Sequence, residues 1–460
     1  MKTLLIAVFA IAFASSSLAA TPAVPPPPAF VEPVYANQPT IEERAEDFGE
    51  WWRQFGDPVL DMLVAHALSQ NIDIAAAATR IDEARAIRRG AVARGRPEID
   101  LGTIAQRQRV SGYEIGFPGP ETANDFSAGI SASWELDLFG RIRHGVQAAT
   151  ADLAASVEDS RTARLAVILE VTRTYLAVRG LERELVIVKQ GQQSQEETAT
   201  YTRALFAAGA IARADVDRAE AQAASTAAEA PAIELQRRMA IHRIAVLLAS
   251  PTQEIYQALE VPTPEGHVPP SSAAGVPAEL LRRRPDVRAA EARITAAFGR
   301  LGVAKADLKP RLTLGGTIGS LVDGFSGVSF ARSILWLAGI SAGAPLFDGG
   351  RRQSVVELRR AECDQARLGY QQAVLVAVAD VENALASIAR DDERVAALDT
   401  AASKARGAAV QVREAWRAGE SPILDLLDAQ RGELAAQEAQ VEARTAEMRD
   451  HAGLFAALGG

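Results

Sequence analysis

The sequence predicts a mixed α and β membrane protein, a duplicated chain in which very long helices alternate with pairs of amphipathic strands. Three observations carry this. The chain repeats itself over a unit of roughly 210 residues, too long for a solenoid repeat. Each copy holds two runs in which apolar and polar residues alternate, the period of a strand with one apolar face. Residues 141–207 and 350–418 contain no proline. As helices each would span on the order of 100 Å at 1.5 Å per residue, more than a single globular core covers.

The N-terminus reads as a signal peptide over residues 1–20: Lys2, then the apolar run LLIAVFAIAFA, then Ser17-Leu18-Ala19. That run is far shorter than the ~20 residues of a spanning helix. No cysteine follows it, so this end offers no lipid-attachment thiol. Residues 21–56 begin as a proline-rich arm (TPAVPPPPAFVEP), expected to be extended. The composition is that of a folded protein, 48% hydrophobic and 23% charged. With 49 basic against 58 acidic residues and no dense basic run, no nucleic-acid partner is expected. The lone Cys363 makes no intrachain disulfide and lies in a helical pattern.

The repeat is legible residue by residue. NIDIAAAATRI (71–81) aligns with RPDVRAAEARI (284–294), LFGR (138–141) with LFDGGR (346–351), and FAAGAIARADV (206–216) with WRAGESPILDL (416–426). The first repeat is assigned to 57–250, the second to 278–460, and the proline-bearing 251–277 to a linker. Each copy opens with a helix, 72–93 or 286–308. Two strands follow, about 97–110 and 125–139 in copy one, about 310–321 and 333–347 in copy two. In DFSAGISASWELDLF the apolar set is Phe126, Ala128, Ile130, Ala132, Trp134, Leu136 and Leu138, with small, polar or acidic residues between. The fourth strand is less regular, because Leu335 and Leu337 sit on its other face. After the strands come the long helices 141–207 and 350–418. A turn at Gly209 or Gly419 reverses the chain into a return helix, 213–249 or 423–458. Stacked end to end, the opening and return helices of a copy match its long helix. The alanine-rich repeats along them allow close approach, as in coiled coils.

Four strands cannot close a barrel, and an open sheet in lipid would leave unpaired backbone groups. Closure therefore needs strands from other chains. Three copies would supply twelve, within the range of outer-membrane barrels. Catalysis is not expected, nor a metal or cofactor. His66, His144, His242, His267 and His451 are scattered without ligand spacing, and the glycines of GGTIGS (315–320) follow no strand-to-helix turn.

The stretches WWRQFGDPVLDMLVAHALSQNIDI, LLRRRPDVRAAEARITAA, GAPLFDGGRR, WRAGESPILDLLDAQR and the terminal ALGG occur in the order found in one family. With them the chain resembles the TolC-like outer-membrane efflux proteins, especially the branch serving resistance-nodulation-division drug pumps. The resemblance implies a homotrimer in the bacterial outer membrane. Its twelve strands would form one barrel in outer-membrane lipid, continuous with a periplasmic helical barrel, and an equatorial region would gather the arm, the linker and the C-terminus. It also implies a channel that receives small toxic compounds from an inner-membrane pump and a periplasmic adaptor (a membrane fusion protein). The alternative within the class is the exit duct of a type I protein secretion system.

By the same resemblance, the turns dock the adaptor through Gly209, Ala210, Ile211, Gly419, Glu420 and Ser421, and Asp425, Asp428 and Asp215 fall on gate aspartates. In a trimer each such position becomes a ring of three carboxylates, which in a narrow pore favours cations. In isolation, Asp425 reads more simply as a residue that caps or solvates the first turn of its helix, and it is the motif around it that favours a pore role. Some relatives latch the closed tip with a tyrosine and an arginine, where this chain has Trp416 and Ser421. Trp416 belongs to the gate set, but it stacks and cannot accept a hydrogen bond, so that latch does not transfer.

Overall fold

The computed structural model describes residues 48–111, 121–260, 269, 283–325 and 331–460. The expected signal peptide, most of the arm, both turns between paired strands and most of the linker lie outside them. The described residues divide into two compact units. One comprises 80–157 and 289–371; the other comprises 48–79, 158–288 and 372–460. Each unit draws on both sequence copies, so copies and compact units are different partitions of the chain.

The first unit contains one antiparallel sheet of order β1-β2-β3-β4, from β1 (Glu98–Val110), β2 (Glu121–Leu136), β3 (Arg311–Phe325) and β4 (Ala331–Gly343). The central pair, β2 with β3, joins the two copies. Register sorts the side chains into two faces. One row runs Leu101–Ile130–Ile318–Trp336 across all four strands, and two rows along the same face another runs Trp134–Leu314–Ile340. On the opposite face the rows run Gly102–Gly129–Gly319–Leu335 and Asp100–Ser131–Thr317–Leu337. Gly129 and Gly319 face each other so closely that a Cβ on Gly319 would lie 2.9 Å from the Ala128 carbonyl.

Strand ends differ from the sequence reading by a few residues, and the differences have causes. β2 stops at Leu136 rather than Phe139 because Asp137 turns to the following helix. Its carboxylate accepts from the backbone N–H groups of Ile142 (3.0 Å) and Arg143 (2.9 Å), satisfying donors that open a helix. β4 stops at Gly343 rather than Phe347, two residues before Pro345, which has no N–H to give a ladder; Asp348 then accepts from the N–H groups of Gly350 and Arg352 at 3.2 Å. β2 begins at Glu121 and β3 ends at Phe325, each four residues past the expected limit, with Glu121 paired to Val110 of β1 and Phe325 to Ala123 of β2.

The helices are α1 (Pro58–Gln70), α2 (Ile72–Ala93), α3 (Arg141–Ala207), α4 (Arg213–Leu247), α5 (Thr252–Leu259), α6 (Pro285–Ala306), α7 (Arg351–Arg417) and α8 (Ile423–Ala457). The long helices α3 and α7 are each 67 residues and contribute to both units. In the first unit α6 crosses the start of α3 with glycine as spacer. A Cβ on Gly299 would meet the Ala148 N at 2.9 Å, and one on Gly302 would meet the His144 ring at 2.5 Å. Cys363 is buried beside Leu301 and Val356. α7 contains one window of mean hydropathy 1.4, apolar enough to cross a membrane. It lies within a helix more than three times the ~20-residue spanning length, and we do not read it as a span.

In the second unit the opening and return helices meet end to end. Asn71 caps α2 by accepting from the N–H groups of Asp73 (2.8 Å) and Ile74 (3.0 Å), and its amide donates to the carbonyl of Leu247, the last residue of α4 (2.8 Å). Arg284 occupies the matching place in copy two and donates to the carbonyl of Ala457, the last residue of α8 (3.1 Å). It also pairs with Asp286 (2.7 Å) and Asp380 (2.9 Å), so the RRPD stretch is a structural tie. α5 lies inside the expected linker. Its Ile255 and Leu259 are buried, and the Leu259 carbonyl accepts from Arg179 (3.2 Å). Ahead of α1, a 3-10 helix (Phe48–Phe55) buries Trp51, stacked on Phe455 at 5.5 Å.

Candidate functional sites: the helical tips and the apolar sheet face

Both helical hairpins of the second unit end in the same turn. Gly209 has φ +73° and Gly419 φ +77°, a left-handed conformation that glycine adopts without penalty. In copy one the Ala210 N–H donates to the Leu205 carbonyl and the Gly209 N–H to the Phe206 carbonyl, both at 2.9 Å. In copy two Glu420 donates to Ala415 (2.8 Å) and Gly419 to Trp416 (2.9 Å). These pairs close the carbonyls at the helix ends in a Schellman cap. Gly209, Ala210, Gly419 and Glu420 are exposed, and Ile211 and Ser421 are half-buried. Four of the six expected docking positions therefore present accessible surface.

The tips are joined within the chain. Ala199 of α3, Ala219 of α4 and Ile423, Leu426 and Leu427 of α8 form a buried cluster, with Val412 and Trp416 of α7 packed against it. The Trp416 ring meets Tyr201 of α3 edge to face, centroids 5.1 Å apart at 73°. The position expected in a latch thus holds an aromatic pair across the two hairpins, and Tyr201 is a partner that sequence reasoning missed. Nothing in TYTRALF marks that tyrosine, because its neighbour lies more than two hundred residues away.

The expected gate aspartates lie at the starts of the return helices. Asp215 and Asp425 are in the first turns of α4 and α8, where a carboxylate is favoured by the helix dipole. Asp215 pairs with Arg218 at 3.1 Å, and Asp428 with Arg431 at 2.9 Å. The Ser421 hydroxyl donates to the Asp425 carboxylate at 2.9 Å, so this serine serves Asp425 rather than a latch. Arg213 pairs with Asp217 (2.9 Å), and its guanidinium lies over the Phe206 ring at 5.9 Å.

Farther from the tips, Glu184 of α3, Glu229 of α4 and Glu438 of α8 converge. Burial and the neighbouring Glu229 and Glu184 push the Glu438 carboxyl up to about 7. Burial, with Glu442 and Glu229, also raises Glu184.

In the first unit, the notable surface is the apolar face of the sheet. Leu101 is 75% exposed, Trp336 77% and Ile318 56%, although burying such side chains is the usual driving force of folding. Leu138 and Phe139 after β2, and Leu346 and Phe347 after β4, extend the exposed apolar set to the junction with the helices. A water-soluble chain would cover so contiguous an apolar face. Among the described residues no group of His, Cys, Asp and Glu could hold a metal ion.

Comparison with known proteins agrees with this geometry. The family model described as "Outer membrane efflux protein" matches residues 63–250 and 276–460, one stretch on each copy. The chain is 31% identical over 455 residues to the "Pyoverdine export outer membrane protein OpmQ" of Pseudomonas putida, covering 97% of this chain and 95% of that one. It is 33% identical to the "Nodulation protein T" of Rhizobium leguminosarum bv. trifolii, covering 83% of this chain and 81% of that one. Among solved structures, the outer-membrane channel OprN superposes with a TM-score of 0.83 at 31% identity, over 95% of this chain and 98% of that chain. VceC from Vibrio cholerae superposes at 0.80 with 26% identity, over 89% and 98%. The chain belongs to the outer membrane efflux protein family and has the fold of the trimeric TolC-like channels, an outer-membrane protein with a large periplasmic helical extension.

Proposed function

We propose that this protein is the outer-membrane channel of a tripartite efflux system, carrying small toxic compounds from an inner-membrane pump, through a periplasmic adaptor, to the exterior. The observation that carries the reading is the sheet: one apolar face exposed, one small and polar face, and two outer strands, β1 and β4, each paired on one side only. In lipid such edges need partners, and three chains closing their edges on one another would supply twelve strands. The polar face would then line a wet bore.

The matched tips support the other end of the path. Gly209, Ala210, Ile211, Gly419, Glu420 and Ser421 would receive the adaptor. Asp425, Asp428 and Asp215 would place carboxylate rings at the gate, with Trp416 holding the hairpins through Tyr201. Named relatives include a pyoverdine export outer membrane protein and a toluene efflux pump outer membrane protein, both of Pseudomonas putida, which favours small molecules as cargo.

Deleting the gene tests the reading. Cells lacking it should become sensitive to dyes, detergents or antibiotics. Unchanged susceptibility together with lost export of one secreted polypeptide would replace it with the type I secretion duct.

A further inference from the structure

Charge at the outer end of the sheet is sorted by face. The helices attach where β1 and β3 begin, so the far end, at Val110 and Glu121, is the outer one. Beyond Phe126 the rows of the apolar face turn basic: Arg107 lies opposite Asn124, and Arg109 opposite Thr122. The row Ala105–Phe126–Val322–Arg332 ends on a third arginine, near the start of β4. Acids take the other face. Asp125 stands between Gln106 and Asp323, and Glu121 is opposite Val110. The Asp125 carboxylate accepts from Gln106 (2.9 Å) and Gln108 (2.7 Å). Arg107 and Arg109 are exposed, with no carboxylate within ion-pair distance among the described residues. An end that met only water would have no reason to divide its charges so, because either sign is equally well hydrated on either face.

Height says what the arginines meet. From Leu136 to Phe126 the apolar face extends about 34 Å at ~3.4 Å per residue. At the ~35–45° tilt of barrel strands that is roughly 25 Å, the height of the apolar band in outer-membrane barrels. Arg107 follows immediately beyond that band, on the lipid side, at the level of the headgroups. In the outer leaflet of a bacterial outer membrane those headgroups belong to a phosphorylated glycolipid. Guanidinium groups hold phosphate oxygens through paired, charge-assisted hydrogen bonds, and the Asn124 amide beside Arg107 adds a neutral donor. β1 and β4 are the edge strands. Closing the barrel would therefore bring Arg107 and Arg109 of one chain to the seam that β4 of the next chain completes with Arg332.

We propose that these arginines bind the phosphate groups of the outer-leaflet glycolipid, lipid A, at each seam between chains. The inference rests on the barrel reading above and adds to it a specific lipid partner.

The test is native mass spectrometry of the full-length trimer in mild detergent, titrated with lipid A. Lipid A should form a saturable adduct, and Arg107→Gln with Arg109→Gln should weaken it by about tenfold or more. Arg107→Lys with Arg109→Lys, which keeps the charge but loses the paired hydrogen bonds, should weaken it less. Arg109→Gln alone serves if the double variant fails to assemble. Three results would overturn the assignment: no saturable adduct on the wild-type trimer, undiminished affinity in the glutamine variants, or phosphatidylglycerol bound as tightly as lipid A. Intact trimers without the adduct would strike this site alone, whereas wild-type protein that forms no trimer would strike the barrel reading itself.

Discussion

Glu438 is a single residue whose environment dictates a measurable behaviour. An unfolded glutamate releases its proton near 4.5, whereas burial and the facing Glu229 and Glu184 hold the Glu438 proton to about 7. Between those values the folded chain binds the extra proton, so its stability falls as pH rises across that window. The contribution is present in full below about 4.5 and lost above about 7. Glu438→Gln should therefore raise the melting temperature on the alkaline side of this window and change it little on the acid side, as thermal melts at several pH values would show. At the tips, the proposed gate role of Asp425 and Asp428 predicts that Asp425→Asn with Asp428→Asn lowers the cation preference of the channel in planar bilayers, since each position would form a ring of three carboxylates. Equal selectivity before and after would remove these aspartates from the pore. The aspartates were legible in the sequence only through the motif around LLDAQR. The Glu184–Glu229–Glu438 cluster was not legible, since its members come from three helices and each is an ordinary glutamate along the chain.

At the scale of elements, the long helices could be read from the sequence because absence of proline and the glycine reversals are local properties. α3 was read at its observed bounds, Arg141–Ala207, and α7 to within one residue at each end. What could not be read was how helices meet. Asn71 and Arg284 make the same tie to the end of a return helix with different chemistry, a likeness that residue identity conceals. The close crossing of α6 on α3 is equally silent in the sequence, because Gly299 and Gly302 look like weak points in a helix. In the structure they are where another backbone arrives. Gly299→Val should cost about 1–3 kcal/mol by overpacking this crossing, read as a lowered midpoint in thermal denaturation. Gly407 of α7, with nothing within 4 Å of an added Cβ, is the control. There a small substituent should be neutral or slightly stabilising, since glycine in a helix interior costs roughly 0.5–1 kcal/mol relative to alanine.

For the whole molecule, the faces of the sheet decide everything else. Alternation in the sequence established that each strand has two unlike faces, but it could not say that the apolar sides of all four strands align. That follows from register, which puts Leu101, Ile130, Ile318 and Trp336 in one row. A one-residue slip of any strand would send its apolar set into the bore. The irregular β4 shows the limit of the pattern, since Leu335 and Leu337 occupy the face that is otherwise small and polar. If hydrocarbon touches the row through Ile318, then Ile318→Lys places a charge in lipid, at a cost of about 2–4 kcal/mol near the bilayer midplane. Thr317→Lys, one residue away on the opposite face, places the same charge in water. Heat-resistant trimers on detergent gels should be lost in the first variant and kept in the second. Equal tolerance of both, or the reverse order, would mean that the bore and the lipid had been assigned to the wrong sides, because no other property distinguishes two adjacent residues of one strand so sharply.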